Sequence, residues 1–159
     1  MPKASLYATF LLDRFFFGIE ILKVQEVIRH RPLTCVPLAP PVVRGLINLR
    51  GQIVTVIDLR HHLELPPGTD GHPPMNIVVK TEHGTVGLLV DEIGDVLEVG
   101  EEDFEPVPET LKGTARELLL GAYKLKGRLL LILDVEKTVS LGSLSRKRES
   151  NAVKSTPNI

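Results

Sequence analysis

The chain is poor in several residue types: it has one cysteine, two methionines, two tyrosines and no tryptophan in 159 residues. A single cysteine closes no internal disulfide and assembles no thiolate metal cluster. Cys35 lies between Pro32 and Pro37 in a short extended piece, Leu33 to Val36, which points to a buried, inert thiol rather than a nucleophile. No apolar run approaches the roughly 20 residues of a membrane-spanning helix. The start, Met1-Pro2-Lys3-Ala4-Ser5, has no apolar signal core, so a cytoplasmic setting without membrane insertion is expected.

Catalytic equipment is equally scarce. The serines are Ser5 and those from Ser140 onward, and no Gly-x-Ser-x-Gly elbow exists. His61 and His62 are sequence neighbours that point to different sides, with no HExxH spacing, so a solvated helix start is expected rather than a metal site. No phosphate-cradling glycine loop is present. Aromatics are few, and Phe15 to Phe17 look like core, which leaves no stacking platform for nucleic acid. The expectation is a protein without enzymatic activity, cofactor or metal.

Net charge is −1, but the signs are segregated. Arg14, Lys23, Arg29, Arg31, Arg44, Arg50 and Arg60 dominate the first part of the chain. From Asp91 to Glu109 every charge is acidic, and the run lacks the central glycine and alternating ligands of a calcium loop. Segregated charge orients a protein against its partners more than it adds affinity.

What the chain does contain is short β-branched and aliphatic runs between turn signals. Strands are expected at Leu6–Leu12, Phe15–Ile19, on both sides of Asn48-Leu49-Arg50-Gly51, at Asn76–Thr81, Thr85–Val90, Asp95–Val99, Leu118–Tyr123 and Leu129–Val135. Glu82-His83-Gly84 and Lys126-Gly127 read as hairpin turns. Apolar residues at Ile21, Val24 and Ile28 suggest a helical turn or two from Leu22 to Val27, and further single turns are expected near His61–Leu65 and Glu136–Val139. Many short strands and scarcely a long helix indicate small β-barrels. The stretch "VRGLINLRGQIVTVIDLR" is the most distinctive. A type I or bulged turn tolerates almost any polar residue beside Gly51, so turn geometry alone does not require an arginine there, and a forked contact to a carboxylate or carbonyl group and an idle surface charge both stay open.

Four stretches, "FFFGIEILKVQEV", "VRGLINLRGQIVTVIDLR", "TVGLLVDEIGDVLEV" and "GRLLLILDVEKTV", resemble successive blocks of the CheW family of bacterial chemotaxis, in the family order. The Gly-x-x-Asn-x-Arg-Gly core followed by an apolar strand ending Asp-Leu-Arg is the specific part. The resemblance implies a mainly β fold of two five-stranded, SH3-like barrel subdomains packed on a shared apolar core, with a few short helical segments. Residues 1–142 would form this domain of two intertwined barrels, and 143–159 a disordered basic tail. It further implies a non-catalytic adaptor, monomeric in isolation. One surface would bind the regulatory domain of the histidine kinase CheA, and another the cytoplasmic hairpin tip of methyl-accepting chemoreceptors. The receptor-binding groove would be lined or supported by Val24, Glu26, Gly45, Arg50, Ile93 and Val96, with Arg50 bracing it through a carboxylate, Glu26 the first candidate, and Ile53 would face the kinase. Thr55 departs from the family, which commonly has proline there. A CheW-like scaffold of a non-motility kinase pathway, an excised CheA regulatory domain and a small nucleic-acid-binding barrel remain the alternatives.

Overall fold

The computed structural model describes residues 4–68 and 73–140. Strands β1 (Ala4–Leu12) and β2 (Phe15–Glu20) form a first hairpin, and a 3-10 turn, Ile21–Lys23, leads into β3 (Val24–Arg29). The hairpin β4 (Val43–Leu49) and β5 (Gln52–Asp58) ends in α1 (Leu59–His62). After the proline-rich loop come β6 (Met75–Thr81), β7 (Gly84–Val90), β8 (Glu92–Gly100), the two-residue β9 (Phe104–Glu105) and α2 (Thr114–Glu117). The described chain closes with β10 (Leu119–Leu125), β11 (Arg128–Leu133) and a last helix, α3, over 135–140.

The strands form two sheets, in the orders β8-β1-β2-β11-β10-β9 and β3-β6-β7-β5-β4. The pairs β2/β11 and β5/β7 are parallel and the rest antiparallel. The chain starts in the first sheet, crosses to the second at Ile21–Lys23, and returns at Asp91. Two crossings knit the lobes together.

Successive strand residues face opposite sides, and here both sides are dry. On β2, Phe16 fills the interior of the first lobe with Tyr7, Tyr123, Leu130 and Ile132, while Phe17 joins the core shared by both lobes. On β6, Val78 fills the second lobe with Ile47, Leu49, Val54, Val56 and Leu89, while Ile77 and Val79 turn to the shared core. Strands covered on both faces read as near-continuous apolar runs, which explains "VTVI" and "LLLIL". Each such side chain contributes about 1.5–3 kcal/mol of burial.

The two halves of the described chain repeat one plan. "VRGLINLRGQIVTVIDLR" aligns without a gap on "LLGAYKLKGRLLLILDVE", matching Gly45 with Gly121, Gly51 with Gly127 and Asp58 with Asp134. The register shifts fall at the same place, between Val43 and Gly45 and between Leu119 and Gly121. Asp58 and Asp134 each cap the following helix by accepting a backbone N–H, from His61 at 3.3 Å and from Lys137 at 3.1 Å. Each lobe combines the first hairpin of one half with β3-, β4- and β5-type strands of the other. The lobes are therefore an exchanged pair.

Three expectations need correction. The residues read as helical from Leu22 to Val27 form only the 3-10 turn and then β3, because pairing with β6 from Val24 to Arg29 outweighs a weak periodicity. Cys35 is exposed rather than buried, since the piece around it makes one isolated bridge, Thr34 to Leu46, instead of a strand. His62 is buried, not solvated, while His61 is exposed. Thr55, despite standing where the family prefers proline, lies in a fully paired strand opposite Leu46 and Val86. The basic tail lies outside the described residues.

His62 joins α1 to α3. Its Nε2 lies 2.9 Å from the carbonyl oxygen of Thr138, so Nε2 carries the proton and donates. Burial pushes its pKa below the ordinary 6.5, outweighing the Thr138 bond. With the native value lowered, the unfolded chain binds more protons as pH falls past about 6.5. The stabilising effect is complete above that value and is lost as pH drops through the native pKa. Urea midpoints across pH should fall in that window for the native sequence and much less for His62→Gln. Asp91, Glu26 and Glu136 also have lowered values, but they titrate at lower pH and leave the histidine window distinct.

Candidate functional site

The hairpin of β4 and β5 is closed by the pair Leu49–Gln52 around Arg50-Gly51. Both turn residues have positive φ, 53° and 83°, the geometry whose twist matches a two-residue hairpin loop. This differs from the type I or bulged turn expected from sequence. Asn48 Oδ1 accepts from the Gly51 N–H at 2.8 Å and fixes the turn. For a residue with a Cβ, the left-handed region costs on the order of 1–2 kcal/mol. Arg50 is therefore held where its backbone is uncomfortable.

Its side chain shows the gain. The guanidinium reaches across to β3 and forks onto Glu26, with Nη2 donating to Oε1 at 2.9 Å and Nη1 to Oε2. The Arg50 hydrogen bonds hold the Glu26 carboxyl below the usual glutamate range. β3 and β4 are the two end strands of their sheet, so the pair spans the seam where that sheet would close into a barrel. Thr34 supports the same seam, exchanging backbone bonds of 2.9 and 2.8 Å with Leu46. Arg50 is 72% exposed and Glu26 20%. An ion pair this wet adds little stability, but a bidentate fork fixes geometry.

Gly45 lies at the same seam. Its φ is 151°, and a Cβ there would lie 2.6 Å from the backbone oxygen of Thr34. Only glycine lets the loop after β3 approach β4 this closely.

The structure thus joins Glu26 and Arg50, with Gly45 further along β4 against Thr34. Val24 precedes Glu26 on β3 across a register shift, half-buried against the shared core. Ile93 and Val96 lie on β8, the end strand of the other sheet, 38% and 53% exposed. Ile53 follows the Arg50-Gly51 turn on β5, opposite Asn48, and is 61% exposed. The six groove candidates are therefore divided among three end strands, β3, β4 with its turn, and β8, and Ile53 stands apart from them on the inner strand β5.

A second charged cluster was not expected from sequence. Arg60 donates to Asp91 from Nε at 2.8 Å and Nη2 at 2.6 Å, with Asp13 3.7 Å from Nη1. Burial raises the Asp91 pKa, but the Arg60 bonds and the Asp13 N–H outweigh it, leaving the carboxyl below its usual value. The pair ties α1 to the second crossing and walls a cleft of about 500 Å³ with Arg44, Asp58 and His61. The Asp-Leu-Arg ending of the hairpin motif was the available signal, but Asp91 is too distant in sequence to be assigned from it. No group of three or more metal-binding side chains is present among the described residues, and no described helix is long and apolar enough to cross a membrane.

The profile of the CheW-like domain matches residues 7–142. A chemotaxis protein CheW from Klebsiella aerogenes is 35% identical over 134 residues, covering 84% of this chain and 81% of its own length. One from Treponema pallidum is 28% identical over 142 residues, covering 87% and 84%. Among solved structures, the scaffolding protein TtCheW from Thermoanaerobacter tengcongensis superposes with a TM-score of 0.77 at 27% identity, over 87% of this chain and 92% of that one. The two interlocked lobes, the Gly45–Arg50 hairpin and these matches lead to one assignment: the chain belongs to the CheW-like domain family of chemotaxis scaffolds.

Proposed function

We propose that the chain is a non-catalytic adaptor coupling chemoreceptors to a CheA-type histidine kinase by binding both. Its receptor surface is formed or supported by Val24, Glu26, Gly45, Arg50, Ile93 and Val96, and Ile53 belongs to the kinase-facing surface. The protein acts in the cytoplasm as a monomer and reaches membrane-associated arrays through its partners. Residues 1–142 constitute the working domain.

The observation that carries this reading is the Glu26–Arg50 fork. It adds little stability where it stands, occupies a strained turn, and joins two sheet edges beside exposed apolar residues. Such an arrangement suits a partner that lays apolar helical anchors against it and meets a polar edge. Arg50→Ala should keep the fold and Tm nearly unchanged and weaken binding of a receptor-tip hairpin fragment by about tenfold, while leaving CheA regulatory-domain binding intact. Titration of the folded variant with each partner decides the matter. Unchanged receptor affinity would remove Arg50 from the site.

A further inference from the structure

The segment from Pro108 to Lys112 forms a strap over the start of β2 and its parallel neighbour β11. Arg116 of α2 holds it, with Nη1 donating to the carbonyl oxygens of Pro108 at 2.9 Å and Leu111 at 3.2 Å. The Leu111 N–H closes a turn on Pro108 at 3.1 Å. Beneath the strap, Phe15 and Leu131 turn toward the shared core, and Leu111 packs against the same core from outside.

The strap does not seal this face. Two cavities of about 270 and 250 Å³ remain, and Phe15, Thr110, Leu111 and Leu131 line both. The first extends to Phe16 and Leu129, the second to Phe17, Leu63 and Leu119. Leu129 is 38% exposed and forms an open wall.

Among the described residues, every charge lining the two cavities is basic: Arg14 and Arg128 at the first, Lys112 at the second. The Arg128 guanidinium lies 3.8 Å from the centre of the Phe16 ring, and that of Arg14 lies 5.5 Å from the centre of the Phe15 ring. Neither arginine pairs with a carboxylate of the described residues. Two guanidiniums laid on aromatic faces beside an apolar cleft are thus left to recognise an outside anion.

Size and polarity narrow the ligand. A helix, roughly 10–12 Å across, needs more room than the strap leaves, whereas an unbranched alkyl chain does not. Cavities that share four wall residues make one small-ligand site, apolar with a few convergent polar groups, in the usual range of roughly 300–1,000 Å³. An inorganic anion would leave the apolar walls wet, and a neutral alkyl compound would leave both guanidiniums unused.

We propose that the cleft under the strap binds a long-chain carboxylate, with its alkyl chain between Leu111 and the β2–β11 face and its carboxylate at Arg14 and Arg128. The cleft belongs to the other sheet from the Glu26–Arg50 seam, and its ligand does not depend on the adaptor reading.

The test titrates sodium decanoate, below its micellar range, into the full chain by calorimetry, with decan-1-ol as the neutral probe. Decanoate should bind saturably, one per chain, and raise Tm. Decan-1-ol should bind about tenfold more weakly. Replacing both arginines, Arg14→Gln with Arg128→Gln, should weaken decanoate by about tenfold or more and leave decan-1-ol affinity and the Tm of the free chain nearly unchanged. Leu129→Asp, placed on the exposed wall, should weaken both probes. Failure of the folded native chain to bind decanoate at millimolar concentration would overturn the site. Equal affinity for the acid and the alcohol, or native decanoate affinity in the double arginine variant, would overturn it as well.

Discussion

Gly45→Ala is expected to destabilise the protein by about 3 kcal/mol, from backbone strain and overpacking combined, lowering Tm by roughly 6–12 °C for a domain of this size. The added Cβ would meet the Thr34 carbonyl oxygen at 2.6 Å on a backbone with φ of 151°. A flexible side chain could yield, but this neighbour is main chain held by its two bonds to Leu46. Relief therefore requires the loop after β3 to leave β4, which opens the seam beside Glu26 and Arg50. Gly51→Ala is the control. Gly51 has φ of 83°, and an added Cβ would have nothing within 4 Å, so the substitution should cost only about 1 kcal/mol. Thermal scans that ranked the two equally would show that the Thr34 contact does not constrain the seam.

Phe10→Ala should have the largest effect on stability, about 3–5 kcal/mol, because a buried aromatic leaves a cavity that surrounding residues fill only in part. Phe10 is 0% exposed and stacks on Phe17, with ring centroids 5.5 Å apart and planes 12° from parallel. It belongs to the core that contains residues of both sheets, so its loss weakens the junction rather than one lobe. Urea unfolding should remain a single transition at a lower midpoint, since each lobe borrows a hairpin from the other half of the chain. Two separated transitions would show that the lobes fold independently despite the exchange. Tyr7→Phe provides the contrast, because it removes one hydroxyl, bonded to Tyr123 at 3.3 Å inside the first lobe, and keeps the ring.

Most strands were legible because runs such as Ile53–Ile57 and Leu129–Leu133 combine β-branched or aliphatic residues with clear turn signals at Gly51 and Gly127. The region Leu22–Val27 was misread for a physical reason. Its apolar spacing fits a helix, and only pairing with the distant β6 makes it a strand. The two-residue β9 was missed because its order comes from pairing with β10 and not from composition. At the candidate site, the family motif and the oddity of an arginine in a hairpin turn led to Arg50 and then to Glu26, and the structure joins them. The positive φ of Arg50 was hidden, since nothing in the residue type announces it. Arg60 and Asp91 were hidden as well, because their pairing depends on where the chain crosses between lobes.

The most direct test of the central claim is a bridging measurement with three purified components. The CheA regulatory domain is passed over an immobilised receptor-tip hairpin fragment, with and without this chain. The adaptor account predicts that this chain increases kinase-domain retention on the receptor surface, and that Arg50→Ala reduces this chain-dependent retention although the variant still binds the kinase domain. Equal kinase-domain retention with and without the folded chain would contradict the account.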